Sequence, residues 1–155
     1  MKKIIAVALM TALCLCLAAC SGGSKPAAKN VDLKAVYDSF GIADEEMLAL
    51  TEDDLMEYYG IESGDVKQFA GAVTLSAISS EEIVLIEAKD SSAAKTIKGH
   101  LDDRYASKAA QMKDYIPEQY AIIEKCSVTQ SGNFVAMIIS ANAESYVKTY
   151  EAAIK

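Results

Sequence analysis

The sequence predicts an α+β domain over residues 31–155: two β-β-α units forming a four-stranded, mainly antiparallel sheet packed by helices, preceded by two or three short helices. Three observations carry this. The hydrophobic period changes beyond Gly64 from helical to alternating, and the order strand, strand, helix then occurs twice. The runs IVLI at 83–86 and FVAMII at 134–139 are apolar at odd and even positions alike, the pattern of inner strands covered on both faces. The amino-terminal helices or an oligomer interface would supply the second cover.

Asn30 is a candidate N-cap for a short helix carrying Leu33, Val36, Tyr37 and Phe40 at helical spacing until Gly41 stops it. From Asp44 a second helical segment is expected, with Met47, Leu48 and Leu50 on one side. Thr51 and Asp54 have the spacing of a capping box at the head of TEDDLMEYYGI, and Gly60 ends that helix with Ile61 placed for a Schellman contact. Val73, Leu75 and Ala77 alternate with Thr74 and Ser76, which predicts a strand paired with the 83–86 run. Asp90 or Ser91 then opens a helix with Ala94, Ile97, Leu101, Tyr105 and Met112 on one stripe, ending before Pro117.

Residues 120–129 read as a further strand, Ser131, Gly132 and Asn133 as its turn, and 134–139 as the returning arm of a hairpin. A last helix runs from about Asn142 to Ile154, with Tyr146, Val147, Tyr150 and Ile154 on its apolar side. AKDSSAAKT after the first unit aligns with ANAESYVKT after the second, a faint similarity that fits a duplication or two unrelated strand-to-helix transitions.

Residues 1–19 read as a signal peptide, with Met1, Lys2 and Lys3 as the positive start and an uncharged run from Ile4 to Ala19. As a helix that run would reach about 24 Å, short of the roughly 30 Å hydrocarbon core of a bilayer. Leu17, Ala18, Ala19 and Cys20 resemble a bacterial lipobox. Its chemistry is specific: the small residues admit the backbone to the signal peptidase cleft, and the Cys20 thiol accepts a diacylglyceryl group as a thioether. Two acyl chains on one cysteine give a stable anchor. Residues 20–30 then form the lipidated cysteine and a tether, SGGSKPAAKN, with a root-mean-square reach of roughly 16 to 19 Å. The expected location is the outer face of the cytoplasmic membrane, with the membrane as a partner through lipid on Cys20.

The chain carries a net charge of −7, and cleavage before Cys20 removes Lys2 and Lys3 to leave 13 basic against 22 acidic residues, or −9. Such a domain lacks the clustered cations that nucleic acid or an anionic lipid surface requires. Of four cysteines, Cys14 and Cys16 leave with the signal and Cys20 takes lipid, so Cys126 has no intramolecular disulfide partner.

His100 is the single histidine, and Asp102 and Asp103, the nearest carboxylates, point about 100° apart along a helix and diverge from it. Cys126 and His100 are the one conceivable thiol and base pair, but Cys126 shares strand parity with Ile122 and Val128 and reads as a small buried hydrophobe. The acidic residues Asp44, Glu45, Glu46, Glu52, Asp53, Asp54 and Glu57 lack calcium-loop spacing and suit solvated helix faces. Tyr58, Tyr59, Tyr115 and Tyr120 are candidates for exposed rings at an interface or for core positions. No phosphate-cradling glycine loop, HExxH or nucleophile elbow occurs, so no cofactor, metal or catalytic residue is predicted.

In LTEDDLMEYYGIE, EEIVLIEAKD and YAIIEKCSVTQSGNFVAMIIS the chain resembles a family of lipoproteins, mostly of Gram-positive anaerobes, known as a domain of unknown function. The resemblance rests on segment order and hydrophobic pattern across residues 31–155 and the signal. It implies an anchored extracytoplasmic domain and carries no active site over. The leading expectation is a non-catalytic binding or scaffold domain with a protein or cell-wall partner. The alternative is a small envelope enzyme or enzyme inhibitor using Cys126, His100 or surface carboxylates. A solute-binding lipoprotein is disfavoured, because 136 processed residues leave little room for two closing lobes.

Overall fold

A computed structural model describes residues 30–43, 45 and 47–155. Helix α1 (Leu33–Asp38) opens at Asp32, whose Oδ1 accepts from the Ala35 amide at 3.1 Å. Asp32, not Asn30, is therefore the cap, because the backbone of Val31 and Leu33 is taken up by Gln68. Strand β1 (Met47–Ala49) lies within the second helix expected from Asp44, whose opening residue lies outside the described ones. Three extended residues pair with the edge of β2 (Val66–Thr74). That edge offers unpaired backbone groups, and the apolar pattern at 47, 48 and 50 serves either conformation.

Helix α2 (Glu52–Tyr59) has the capping box its sequence predicts, and Gly60 closes it at φ 66° while the Ile61 amide donates to the Leu55 carbonyl at 3.0 Å. Strand β3 (Glu82–Ala88) leads into the long helix α3 (Ser91–Tyr115), capped by Asp90, whose Oδ1 accepts from the amides of Ser92 and Ala93 at 2.9 Å each. Pro117 then starts a further helix, α4 (Pro117–Ile123), where a strand is expected from 120. Proline at the first helical position and Glu118 in the first turn outweigh the β-branched Ile122 and Ile123. Strand β4 (Val128–Ser131) is accordingly short, Gly132 at φ 59° begins the two-residue turn, and β5 (Phe134–Ile139) and α5 (Ala143–Ile154) follow.

The result is α+β, with an antiparallel sheet of five strands, not four, in the order β1-β2-β3-β5-β4. Strand β2 begins seven residues before the Val73 start that alternation suggests and stops at Thr74, so Leu75 and Ala77 belong to a loop. The small residues Ala70, Gly71 and Ala72 hide its earlier part.

Alternation along the antiparallel pairs places Glu82, Val84 and Ile86 on one face with Ile139, Met137 and Val135; Ile83, Leu85 and Glu87 share the other with Ile138, Ala136 and Phe134. The first face packs on α3. The second is covered by α1 and α5, which meet through Phe40 and Tyr146, stacked with ring centroids 4.6 Å apart. Both faces of β3 and β5 are thereby buried, as their continuous apolar runs predict. A rotation carrying the β2-β3 hairpin onto β4-β5 would keep its helix on the same face. Because α3 and α5 lie on opposite faces, the two units are not a symmetric duplication.

The sheet has two distinct ends. At the first, a bulge in β2 between Val66 and Gln68 aims Lys67 and Gln68 together at Glu87. Gln68 also donates to the Val31 carbonyl at 2.7 Å and accepts from the Leu33 amide at 3.0 Å. The start of the domain is thus clamped at this end. The β2-β3 loop, Ser140 and the carboxyl-terminal part of α3 lie at the other. Between them β2 packs tightly on β3 at Gly71, where an added Cβ would stand 2.0 Å from the Ile83 carbonyl oxygen. Backbone cannot yield as a flexible side chain does. Gly71→Ala is therefore expected to lower unfolding stability by about 2 kcal/mol or more, measured by urea titration; an unchanged midpoint contradicts this packing.

Candidate functional site

The predicted recognition residues Leu17, Ala18 and Ala19, the lipid-bearing Cys20 and the tether up to residue 29 lie outside the described residues. The chemistry-bearing groups that the fold does bring together collect at the end opposite the Gln68 clamp.

Glu82, the first residue of β3, is fully buried there. Its carboxylate receives two parallel hydrogen bonds from Arg104, Nε and Nη2 each at 2.9 Å, and an ion pair from Lys108 one helical turn on. Burial alone would raise the Glu82 pKa, but the Arg104 fork and the Lys108 charge outweigh it and hold the carboxyl below its ordinary range. Arg104 also stands 5.7 Å from the centre of the Tyr59 ring, and burial together with the Glu82 charge pushes the Tyr59 phenol far above its usual range. This cluster joins β3, α3 and α2.

A polar seam extends from it. Lys108 donates to the Ser80 carbonyl at 3.2 Å, and the Ser80 amide and hydroxyl both donate to Gln119 Oε1, at 2.8 and 2.9 Å. Ser140, at the end of β5, donates through Oγ to Glu81 at 2.6 Å and accepts from the Asn142 amide at 3.1 Å. These bonds lash the β2-β3 loop to α4 and to the head of α5. Beside the seam lies a cleft of about 620 Å³ lined by Ile122, Cys126, Ser127, Ile138, Ser140 and Val147, among others.

Cys126 sits in the turn after α4, not on a strand as its parity suggested, yet it is buried as predicted. Its thiol donates to the Ile122 carbonyl at 3.3 Å and stands 3.8 Å from the Ser140 carbonyl, and burial pushes its pKa up. A protonated thiol aimed at carbonyls is a packing group. His100 is placed elsewhere, half-buried on α3 with Nδ1 3.6 Å from where a Gly60 Cβ would be. The structure gives the two side chains separate neighbours. Among the described acidic residues, Asp54 serves the α2 cap, accepting from the Thr51 amide at 2.7 Å. Among the described residues, no group of His, Cys, Asp and Glu is placed to hold a metal ion, and no helix is long and apolar enough to cross a membrane.

Of the four tyrosines singled out in the sequence, Tyr59 is buried, Tyr120 is half-buried, Tyr58 is exposed and Tyr115 is 80% exposed. The β2-β3 loop adds two apolar residues to the surface at the seam, Leu75 at 65% and Ile78 at 73% exposure. Sequence reasoning missed both the Glu82 cluster and this loop. The signals were present: Arg104 is the chain's single arginine, it stands four residues before Lys108 at the margin of the Ile97 and Leu101 stripe, and Leu75 and Ile78 sit among Ser76, Ser79 and Ser80.

Fold and seam together define an α+β domain whose buried ion cluster organises one end of the sheet. Residues 41–140, from the segment before β1 to the end of β5, match the family described as a domain of unknown function (DUF4358), and the chain belongs to that family. No curated protein and no solved structure matches it.

Removing the Glu82 charge leaves Arg104 and Lys108 without their counter-ion. Glu82→Gln is expected to cost about 3 kcal/mol or more at pH 7. Because the folded pKa lies below the unfolded carboxyl value near 4.3, ionised Glu82 stabilises the fold above that pH and its contribution fades as pH falls through the folded value. Urea titrations at pH 7 and pH 3 should show the gap between native and variant protein closing in acid; a gap independent of pH contradicts the assignment.

Proposed function

We propose that this chain is an exported lipoprotein, anchored to the outer face of the cytoplasmic membrane through lipid on Cys20, and that its α+β domain is a non-catalytic binding or scaffold module. The observation that carries the reading is the order of segments: a positive start, an uncharged run, Leu17-Ala18-Ala19-Cys20, a Gly- and Ser-rich tether, and then a folded domain. The clamp on Val31 and Leu33 supports it, because a tether entering there leaves the seam and the exposed loop at the far end of the sheet, free to meet a partner.

The chemistry of the seam favours binding over the alternative, an envelope enzyme or inhibitor using Cys126, His100 or carboxylates. The Cys126 thiol is held neutral against carbonyls, and Glu82 is held by two cations inside the fold. A nucleophile needs a base within hydrogen-bond reach, whereas the Cys126 thiol donates to a carbonyl.

Intact-mass analysis of the membrane fraction tests the anchor. Native protein should yield a species beginning at Cys20 and carrying fatty acyl mass, and Cys20→Ala should yield none. A processed chain that begins at another residue, or one free of acyl mass in the membrane fraction, removes the proposal.

A further inference from the structure

Leu75 and Ile78 project from a loop that is fixed. Ser76 accepts from the Ser79 amide through its carbonyl at 3.3 Å, the Ser76 amide donates to Thr74 Oγ1 at 3.1 Å, the Glu81 amide donates to Ser79 Oγ at 3.2 Å, and Ser80 is lashed to Gln119. A loop ordered before contact loses little conformational entropy on binding. Tyr115 ends α3 seven residues beyond Lys108, which touches Ser80, so its Cα lies about 10 Å further along the helix axis toward the same end of the molecule. Three large apolar side chains exposed at one end form a candidate contact surface.

The charges around it are mostly negative. Glu45 and Glu81 line the groove beside Leu75 and Ile78, and Asp114 and Glu118 flank Tyr115. Of the nearby lysines, Lys108 is committed to Glu82, and Lys113 lies 5.8 Å from the centre of the Tyr120 ring. An acidic rim opposes an anionic bilayer, and a second copy would set this rim against itself. A partner with an apolar recess bordered by Lys or Arg matches both features.

We infer that Leu75, Ile78 and Tyr115 form the docking surface of this domain for a protein that presents an apolar recess with a basic border. The inference deepens the binding reading above and rests on it. Leu75 and Ile78 supply desolvated contact, Tyr115 supplies an amphipathic ring, and the acidic rim steers the approach and rejects like-charged surfaces.

The test is photo-crosslinking in intact cells with a benzophenone amino acid at position 78 of the full-length protein, and at Lys95 near the clamped end of α3 as control. Position 78 should crosslink to one protein through a segment containing Lys or Arg. That yield should fall about tenfold with Leu75→Ser, and again with Glu45→Lys combined with Asp114→Lys. Circular dichroism confirms that the variants fold; should Leu75→Ser not fold, Tyr115→Ser takes its place. Crosslinks to a second copy or to lipid, binding of Cys20→Ala protein to phosphatidylglycerol vesicles, yields indifferent to the substitutions, or no crosslink above the Lys95 control each overturn the inference. The Cys20 acyl mass is read from the same cells, so an anchored protein that does not crosslink separates failure of this surface from failure of the anchor.

Discussion

The structure depends on one constraint: β3 and β5 are apolar on both sides, and each side must be removed from water. At roughly 25 cal/mol per Å² of apolar surface, leaving Ile83, Leu85 and Ile138 exposed would forfeit several kcal/mol. One helical layer cannot cover both faces. Helix α3 takes the first, so the chain must supply a second layer from its two ends, α1 and α5, joined by the Phe40 and Tyr146 rings. Seating α1 there brings Val31 and Leu33 against Gln68.

So apolar a strand carries a buried carboxylate at each end, Glu82 and Glu87, and the complete burial of Glu82 has a consequence for architecture. An ionised carboxylate is tolerated there because Arg104 and Lys108 reach it from the facing helix with fitting geometry. The same three residues set the register between α3 and the sheet, since a helix displaced by one turn would present Lys108 or His100 to Glu82 in place of Arg104. Lys108 passes the constraint on to Ser80, and through Gln119 and Ser140 the loop after β2 is tied to α4 and to the end of β5. A buried ion cluster thus positions an exposed loop.

The elements that depend on local chemistry were legible from local signals. The Thr51 capping box, the Gly60 stop, the Asp90 cap, the Gly132 turn and the apolar runs 83–86 and 134–139 all read directly from residue type and spacing. The class α+β and the coverage of both faces followed from them. What failed depended on tertiary partners. Strand β1 exists because β2 offers it an edge, β2 extends through Ala70-Gly71-Ala72 because close approach to β3 excludes larger side chains, and α4 replaces a strand because Pro117 starts a helix from the end of α3. The candidate surface was legible only in fragments: Tyr115 stood out as an aromatic, while Leu75 was assigned to a strand and Ile78 drew no notice.

The clamp on Val31 and Leu33 and the apolar loop occupy opposite ends of the sheet. Six residue steps of β2 separate Gln68 from Thr74, which is about 20 Å of extended chain before the loop and the label arms are added. Spin labels at Asn30→Cys and Ile78→Cys, in a Cys126→Ala protein processed and purified in detergent, measure that separation directly. A single distance distribution centred beyond roughly 20 Å is expected. A dominant population at half that distance would mean that the chain enters beside the loop, and the arrangement described above would be wrong.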